Sequence, residues 1–260
     1  MSVAVRKVAN VLVLVAVVWL NGLAATGAMS GVSVGALANR PASLSLFLPA
    51  NYVFGIWSLI YLGLTAFTVR QALPGDGATR AGRILGVWWP ITSVLNVAWI
   101  SAFSFEQYGL AMLVMLALLV SLVMVAGRVA PVVAAGTWTD RLCVAWPFHV
   151  YLAWISVAII ANTFQYAHVT GWSGFGIAES TWSVTMMVVA TALGWAMAAR
   201  GIWAFPLVVA WALRGIGVRW PSVGPVHAAA TLLVPVGIVG GAVLAYRAIV
   251  ASRRHRPDAI

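Results

Sequence analysis

Long apolar runs, separated by short polar or basic segments, dominate the hydrophobic pattern of this chain. The length of each run is close to the about 20-residue length that a helix needs to cross a lipid bilayer. The runs predict helices over residues 8–29, 51–71, 84–104, 108–126, 144–163, 179–199, 202–218 and 225–250. The pattern therefore predicts an all-α, polytopic membrane helix bundle with eight spans.

Composition supports the same class. Hydrophobic residues make up 63% of the chain and charged residues only 8%, far from the balance of a soluble domain. The 260 residues would fill one bundle rather than several domains. A net charge of +10 does not indicate nucleic-acid binding here, because the basic residues lie between apolar runs and in the tail. The single cysteine, Cys143, excludes an internal disulfide and shows no metal-site or redox spacing.

Loop charge decides between seven and eight spans. The seventh run is the doubtful one, because Arg214 interrupts it. With eight spans, 12 of the 15 basic residues fall on one side of the membrane and only three, Arg40, Arg214 and Arg219, on the other. The twelve are Arg6, Lys7, Arg70, Arg80, Arg83, Arg128, Arg141, Arg200, Arg247, Arg253, Arg254 and Arg256. The positive-inside rule thus favours eight spans with both termini cytoplasmic, and Arg214 snorkelling to the outer interface.

A stripe of polar and aromatic residues runs along the fifth predicted helix. Its members, at positions i, i+3, i+7 and i+11, are Tyr151, Trp154, Ala158 and Asn162. Lipid offers no partner for an amide or an indole N–H, so this face should meet other helices or a cavity. Packing between helices and a ligand pocket both fit this one stripe.

Similar stripes on the second and third predicted helices favour the pocket. They consist of Phe54, Trp57 and Tyr61 on the second helix, and of Trp89, Asn96, Trp99 and Phe103 on the third. Interfacial anchoring cannot explain Trp57, Trp99 and Trp154, because they lie deep within the predicted spans. A flat aromatic ligand suits such walls, and Asn96 and Asn162 could orient its polar edge. Equally, the two amides could bond to each other across two helices.

Three segments resemble the motifs of the TspO/MBR family, the translocator or tryptophan-rich sensory proteins. Residues 151–162, YLAWISVAIIAN, resemble the fifth-helix pattern PYLxW…A…LN. Residues 95–103, LNVAWISAF, are similar to LNxxWxxxFF, and residues 49–61, PANYVFGIWSLIY, to PPxWVFGPVWTxLY. The motifs occur in the family's order on the matching helices. Pro147 departs from the pattern, since it lies four residues before Tyr151 instead of next to it.

The resemblance implies a TspO-like five-helix core over residues 1–163, with residues 164–260 forming a three-helix extension and basic tail. It also favours a retained first helix over a cleaved signal peptide. The family binds porphyrins, haem or sterol-like ligands between helices, and a homodimer is a further family expectation. The candidate ligand-binding residues are Trp57, Tyr61, Asn96, Trp99, Phe103, Tyr151, Trp154, Ala158 and Asn162. Residues 30–50, a long Gly/Ser/Pro-rich connection, are the expected lid.

Catalysis and a resident metal find little support in the sequence. The acidic residues all fall in predicted loops, at helix ends or in the tail, whereas proton coupling needs an ionisable group within the membrane. His168 and His227 both fall on the predicted external side, but no spacing rule supports them as axial ligands of haem iron. The expectation is a protein that is not an enzyme, with porphyrin or haem as ligand rather than as a resident cofactor.

Three functional hypotheses follow. The favoured one is a membrane receptor or sensor for a porphyrin-like hydrophobic ligand; the alternatives are a small-molecule transporter and a non-catalytic membrane scaffold. The expected location is a bacterial inner membrane. Membrane lipid is the expected partner, with Arg253 to Arg256 of the basic tail meeting anionic headgroups.

Overall fold

Eight long helices form the architecture in the computed structural model, which describes residues 3–74 and 82–254. They are α1 Val3–Thr26, α2 Ile56–Ala72, α3 Trp88–Ser104, α4 Tyr108–Ala135, α5 Trp146–Val169, α6 Glu179–Ala199, α7 Ala204–Arg219 and α8 Gly224–Arg254. These correspond one to one with the eight predicted runs, so the all-α class is confirmed. Arg80, and the side chains of the tail from Arg253 to Arg256 that were expected to meet lipid, lie outside the described part.

Two helices extend well beyond their predicted ends. α4 continues nine residues past Ala126, through Arg128 and Pro131, because a proline costs a membrane helix little when its surroundings satisfy the freed carbonyl. α5 runs to Val169 rather than Thr163, so the segment that follows Thr163 is helical and not loop. The helix ends only where Gly171 adopts a φ of +69°, a glycine stop signal of the usual kind.

Two other helices begin later than predicted. α3 starts at Trp88 instead of residue 84, after Gly86 takes a φ of +52° that interrupts the helical path. α2 starts at Ile56 instead of residue 51, because Asn51–Gly55 form a 3₁₀ turn. The 3₁₀ turn and α2 together remain long enough to cross a membrane.

Six segments are long and apolar enough to cross a membrane, by length and composition, in the part of the chain that the structure describes. They comprise α1, α2 with its preceding turn, α4, the segment Trp138–Val169 that contains α5, α6 and most of α8. α3 and α7 have only 17 and 16 residues. The doubtful seventh run is nevertheless a helix, and Arg214 lies on its exposed side.

The chain folds into two compact units. Unit 1 comprises Met1–Ser45 and Gly55–Gly171, and therefore holds α1 to α5. Unit 2 comprises Leu46–Phe54 and Trp172–Ile260, and therefore holds α6 to α8. The predicted lid is shared between them, because residues 30–45 belong to unit 1 and residues 46–50 to unit 2.

α5 is the central helix of unit 1. Of the most apolar 18 consecutive residues in its segment, 72% are buried, against 28–39% in the other spans of this unit. α5 packs against α2 and α4, while α1 packs against α2 and α3, and α3 against α4. Gly63 allows α2 to approach α5 closely, since a Cβ at this position would lie 2.9 Å from the Cβ of Pro147. The displaced proline of the family motif thus marks a contact between helices.

The connection after α1 is ordered on the surface of unit 1. A short helix, Val34–Ala38, is capped by the Ser33 side chain and packs against α1 and α3. A 3₁₀ turn, Pro41–Ser43, packs against α5. The Arg40 guanidinium forms an ion pair with Glu106, in the turn between α3 and α4. A lid function for this connection stays a prediction.

Unit 2 is a three-helix bundle in which α6, α7 and α8 each pack against the other two. Glycines make these approaches close. A Cβ at Gly194 of α6 would lie 3.3 Å from the Cα of Pro206, and a Cβ at Gly241 of α8 would lie 2.7 Å from the Cβ of the same proline. The Trp195 indole N–H donates to the Gly237 carbonyl of α8 at 3.2 Å.

Residues Leu46–Phe54, here called the strap, are bound to α6 and α7 of unit 2. The indole N–H groups of Trp220 and Trp211 donate to the carbonyls of Leu48 and Val53, both at 3.1 Å. The amide of Ala50 donates to the Gly215 carbonyl of α7 at 3.1 Å, and that of Leu46 to the Glu179 carboxylate of α6 at 2.7 Å. Val53 and Phe47 are fully buried. The strap therefore packs as part of the unit 2 core.

Candidate functional site

The Trp57 ring lies at the centre of an aromatic cluster in unit 1. It stacks on Tyr61 and on Trp99, with ring centroids 5.6 Å apart in both pairs and interplanar angles of 20° and 22°. It also meets the rings of Tyr151 and Trp154 edge-on, at 5.8 and 6.3 Å. One side chain of α2 thus brings together the stripes that the sequence predicted on α3 and α5.

The cluster continues along α3. Phe103 lies 6.1 Å from Trp99 and 5.6 Å from Tyr108, the first residue of α4. Trp99 and Phe103 are buried, whereas Trp57 and Tyr61 of α2 are only partly buried. The α2 side of the cluster is therefore its accessible side.

A chain of buried hydrogen bonds joins three helices beside the aromatic cluster. The Asn21 amide of α1 donates to the Asn96 side-chain oxygen at 2.8 Å, and the Asn96 amide donates to the Tyr151 hydroxyl at 2.8 Å. Asn21 also donates to the Val17 carbonyl, within its own helix. Because no water is available in the hydrocarbon region, such groups must find their partners inside the protein.

The two candidate amides, Asn96 and Asn162, do not bond to each other as one interpretation of the sequence expected. The Trp99 indole donates to the Asn162 side-chain oxygen at 3.4 Å, and the Asn162 amide donates to the Ala158 carbonyl at 3.0 Å. Asn96 instead bonds toward α1 and to Tyr151. The interpretation was wrong because it left out α1, whose Asn21 amide donates to the side-chain oxygen of Asn96.

The structure brings all nine sequence-predicted site residues into one connected region of unit 1. Eight of them take part in the ring contacts or hydrogen bonds described above through their side chains. Ala158 contributes a main-chain carbonyl, and its small side chain is buried. Their role in ligand binding stays a prediction.

Two other stripe residues lie elsewhere. Trp89, at the start of α3, packs with Phe67 and Phe148 in a second aromatic group, at centroid distances of 5.2 and 6.1 Å. Its indole N–H points to the Asn10 carbonyl at 3.4 Å. Phe54 belongs to the strap and hence to unit 2.

Asn21 is the site residue that the sequence prediction missed. The signal was present, because the buried residues of α1 recur at helical spacing. They are Asn10, Leu14, Val17, Asn21 and Ala24. The stripe was overlooked because it carries no aromatic residue, although two amides in a membrane helix already require partners.

Chemically, the cluster offers aromatic faces and neutral amides or hydroxyls. In residues 3–74 and 82–254, no group of three or more His, Cys, Asp or Glu side chains could hold a metal ion. His227 faces the Gly217 carbonyl, with its Nδ1 at 2.9 Å. The arrangement presents aromatic surfaces that can stack, and its amide and indole N–H groups donate hydrogen bonds within the protein.

Comparison with known proteins identifies the family. The model of a family described as "TSPO-like protein" matches residues 7–245. No curated protein and no solved structure matches the chain. The motifs carry the resemblance over residues 8–163, and the family match continues through α6 and α7 into α8. The chain is a membrane protein with eight long helices in its described part, and it therefore belongs to the TSPO-like protein family.

Proposed function

We propose that unit 1 binds a flat, hydrophobic aromatic ligand of the porphyrin or haem class, or a sterol-like molecule, between α2, α3 and α5. The protein would then act as a membrane receptor or sensor. The observation that carries this proposal is the position of Trp57, which contacts four aromatic rings while remaining partly exposed.

Stacking supports a flat ligand. Trp57 is nearly parallel to both Tyr61 and Trp99, so the three side chains present parallel aromatic faces. A flat conjugated ligand that inserts beside Trp57 would stack on these faces. Each aromatic pair contributes roughly 0.5–1.5 kcal/mol beyond buried area, so two or three such pairs support micromolar binding when apolar burial is added.

The polar residues support binding rather than catalysis. Asn21, Asn96 and Tyr151 satisfy one another, and none of them carries a charge. Such a network holds the walls of a site in one geometry, because breaking any link leaves a buried polar group without its partner. The proposal therefore contains no acid–base step.

The same proposal includes orientation and partners. Both termini face the cytoplasm of a bacterial cell, across the inner membrane, because 12 of the 15 basic residues then lie on the cytoplasmic side. Membrane lipid surrounds the helices. A homodimer is proposed from family membership alone.

Titration of protoporphyrin IX into the purified protein tests the pocket. Saturable micromolar binding, followed by tryptophan quenching and by the porphyrin absorbance, is expected for the wild type. Trp57→Leu, Trp99→Leu and Trp154→Leu should each weaken binding by about fivefold or more, since each removes at least one ring contact. Trp19→Leu, on an exposed face of α1, is the matched control and should leave the affinity unchanged.

Thermal unfolding in detergent establishes that each variant is folded before its affinity is compared. Quenching that does not saturate, or equal affinity of the three site variants and the wild type, would refute the pocket. Family membership would then describe the fold alone.

A further inference from the structure

Two buried polar side chains near the C-terminal ends of α3 and α5 have no hydrogen-bond partner within the described residues. They are Ser104, whose side-chain oxygen is fully shielded, and Gln165, whose amide nitrogen is likewise shielded. Ser104 is 3% exposed and Gln165 is 6% exposed. A buried donor without a partner destabilises the fold, so two such groups in one region call for an explanation.

Gln165 continues the α5 stripe that enters the aromatic cluster. It follows Asn162 by three residues and Tyr151 by fourteen, which is close to four full turns of helix. It therefore lies on the same helix face as Trp154 and Asn162. This stripe supplies ring contacts and hydrogen bonds to the cluster from Tyr151 as far as Asn162.

Ser104 is the last residue of α3, and it lies at the same end of its helix as Gln165 does of α5. Asn96 bonds to Tyr151 and Trp99 to Asn162, so the later residue of α3 pairs with the later residue of α5. The two helices therefore run in the same direction. Ser104 and Gln165 both come after the Trp99–Asn162 bond, which places the two unsatisfied groups toward the same end of the cluster.

We propose that Gln165 is a specificity-determining residue that donates its side-chain N–H to a hydrogen-bond acceptor at one edge of the bound ligand. The acceptor is a carbonyl or carboxylate oxygen at the end of the cluster toward which Gln165 and Ser104 lie. The inference rests on the proposed function and narrows it, because the ligand must combine a flat apolar body with an acceptor group at one end.

Two porphyrins that differ only at their periphery test this assignment. Protoporphyrin IX carries two propionate groups, whereas etioporphyrin I has alkyl substituents only. Gln165→Leu should weaken binding of protoporphyrin IX about tenfold and change the affinity for etioporphyrin I by less than about twofold. Gln107→Leu, at an exposed glutamine of the same unit, is the matched control and should change neither affinity.

A second variant keeps the test decisive if Gln165→Leu fails to fold. Gln165→Met gives an unbranched side chain of similar length but removes the N–H donors without adding a titratable group. It should weaken protoporphyrin IX binding about tenfold, again without a comparable effect on etioporphyrin I.

The outcomes separate this inference from the proposed function. A wild type that binds neither porphyrin would overturn the proposed function and this inference together. A wild type that binds both, with Gln165 variants that lose the two porphyrins equally or lose neither, would overturn the inference alone. Loss restricted to protoporphyrin IX would support the role of Gln165.

Discussion

Unit 1 and unit 2 satisfy the same requirement of a membrane protein by different means. In unit 1, side chains from different helices bond to one another, as in the chain from Asn21 through Asn96 to Tyr151. In unit 2, indole N–H groups bond to main-chain carbonyls, as Trp195 does to Gly237 and Trp220 to Leu48. A bond between two side chains requires a particular residue at both positions. A bond from an indole to a main-chain carbonyl requires a particular residue at only one position, because every residue has a main-chain carbonyl.

This difference indicates which kind of hydrogen bonding can support recognition of a particular ligand shape. A network of side chains holds amides and hydroxyls in fixed positions around aromatic faces, so it suits a site that must recognise a shape. Close packing of glycine against proline and bonds to main-chain carbonyls set the distance between backbones instead. Buried amide–amide and amide–hydroxyl bonds between helices are found in unit 1, whereas Gly194 and Gly241 of unit 2 both approach the same proline, Pro206.

The largest loss of stability is expected from adding a methyl group where α8 approaches α7 closely in unit 2. Gly241→Ala would bring a methyl group to 2.7 Å from the Cβ and Cγ atoms of Pro206, a rigid ring that cannot rotate away. We expect the free energy of unfolding, measured by SDS titration of detergent-solubilised protein, to fall by about 2–3 kcal/mol. Gly237→Ala, one helical turn away, is the control, since its methyl group would make an ordinary contact of 3.5 Å with Thr191. Similar stabilities of the two variants would contradict the close approach.

A smaller effect is expected from removing the centre of the network in unit 1. Asn96→Leu deprives both the Asn21 amide and the Tyr151 hydroxyl of a partner. Hydrogen bonds between membrane helices average about 0.6 kcal/mol, so two of them predict a loss of about 1–2 kcal/mol in the same titration.

A double-mutant cycle with Tyr151→Phe checks the network directly. The double variant should be less destabilised than the sum of the single variants, because both changes remove the same bond. Strict additivity would show that Asn96 and Tyr151 do not interact.

The smallest effect is expected from weakening the strap by one bond. Trp220→Phe keeps an aromatic ring but removes the N–H that donates to the Leu48 carbonyl. Since the Ala50 and Leu46 amides still hold the strap, the loss should be about 0.5–1 kcal/mol. Faster proteolysis of residues 46–54 in this variant, measured beside the wild type, would report local release. A loss as large as that of Gly241→Ala would mean that the strap detaches as a whole.

Helical periodicity predicted much of the candidate site, and elements with interrupted periodicity were predicted least well. The stripes of α3 and α5 were recognisable because Trp99, Tyr151 and Trp154 recur at helical spacing among apolar residues. Asn21 was missed although it obeys the same spacing. Residues 46–50 of the strap were predicted as part of the connection after the first helix and residues 51–54 as the start of the second, because the strap's bonding partners lie more than 100 residues away in the sequence.

The sequence by itself determined the class, the number of helices and the faces that must avoid lipid, because these follow from hydrophobicity and helical period within one segment. Only the tertiary structure decided which groups meet: Asn96 with Asn21 rather than with Asn162, Gly63 with Pro147, and the strap with α6 and α7. The physical reason is that a polar stripe in a membrane helix demands a partner without specifying it. The register and the close approach of neighbouring helices, which glycines such as Gly63 and Gly241 permit, select the partner.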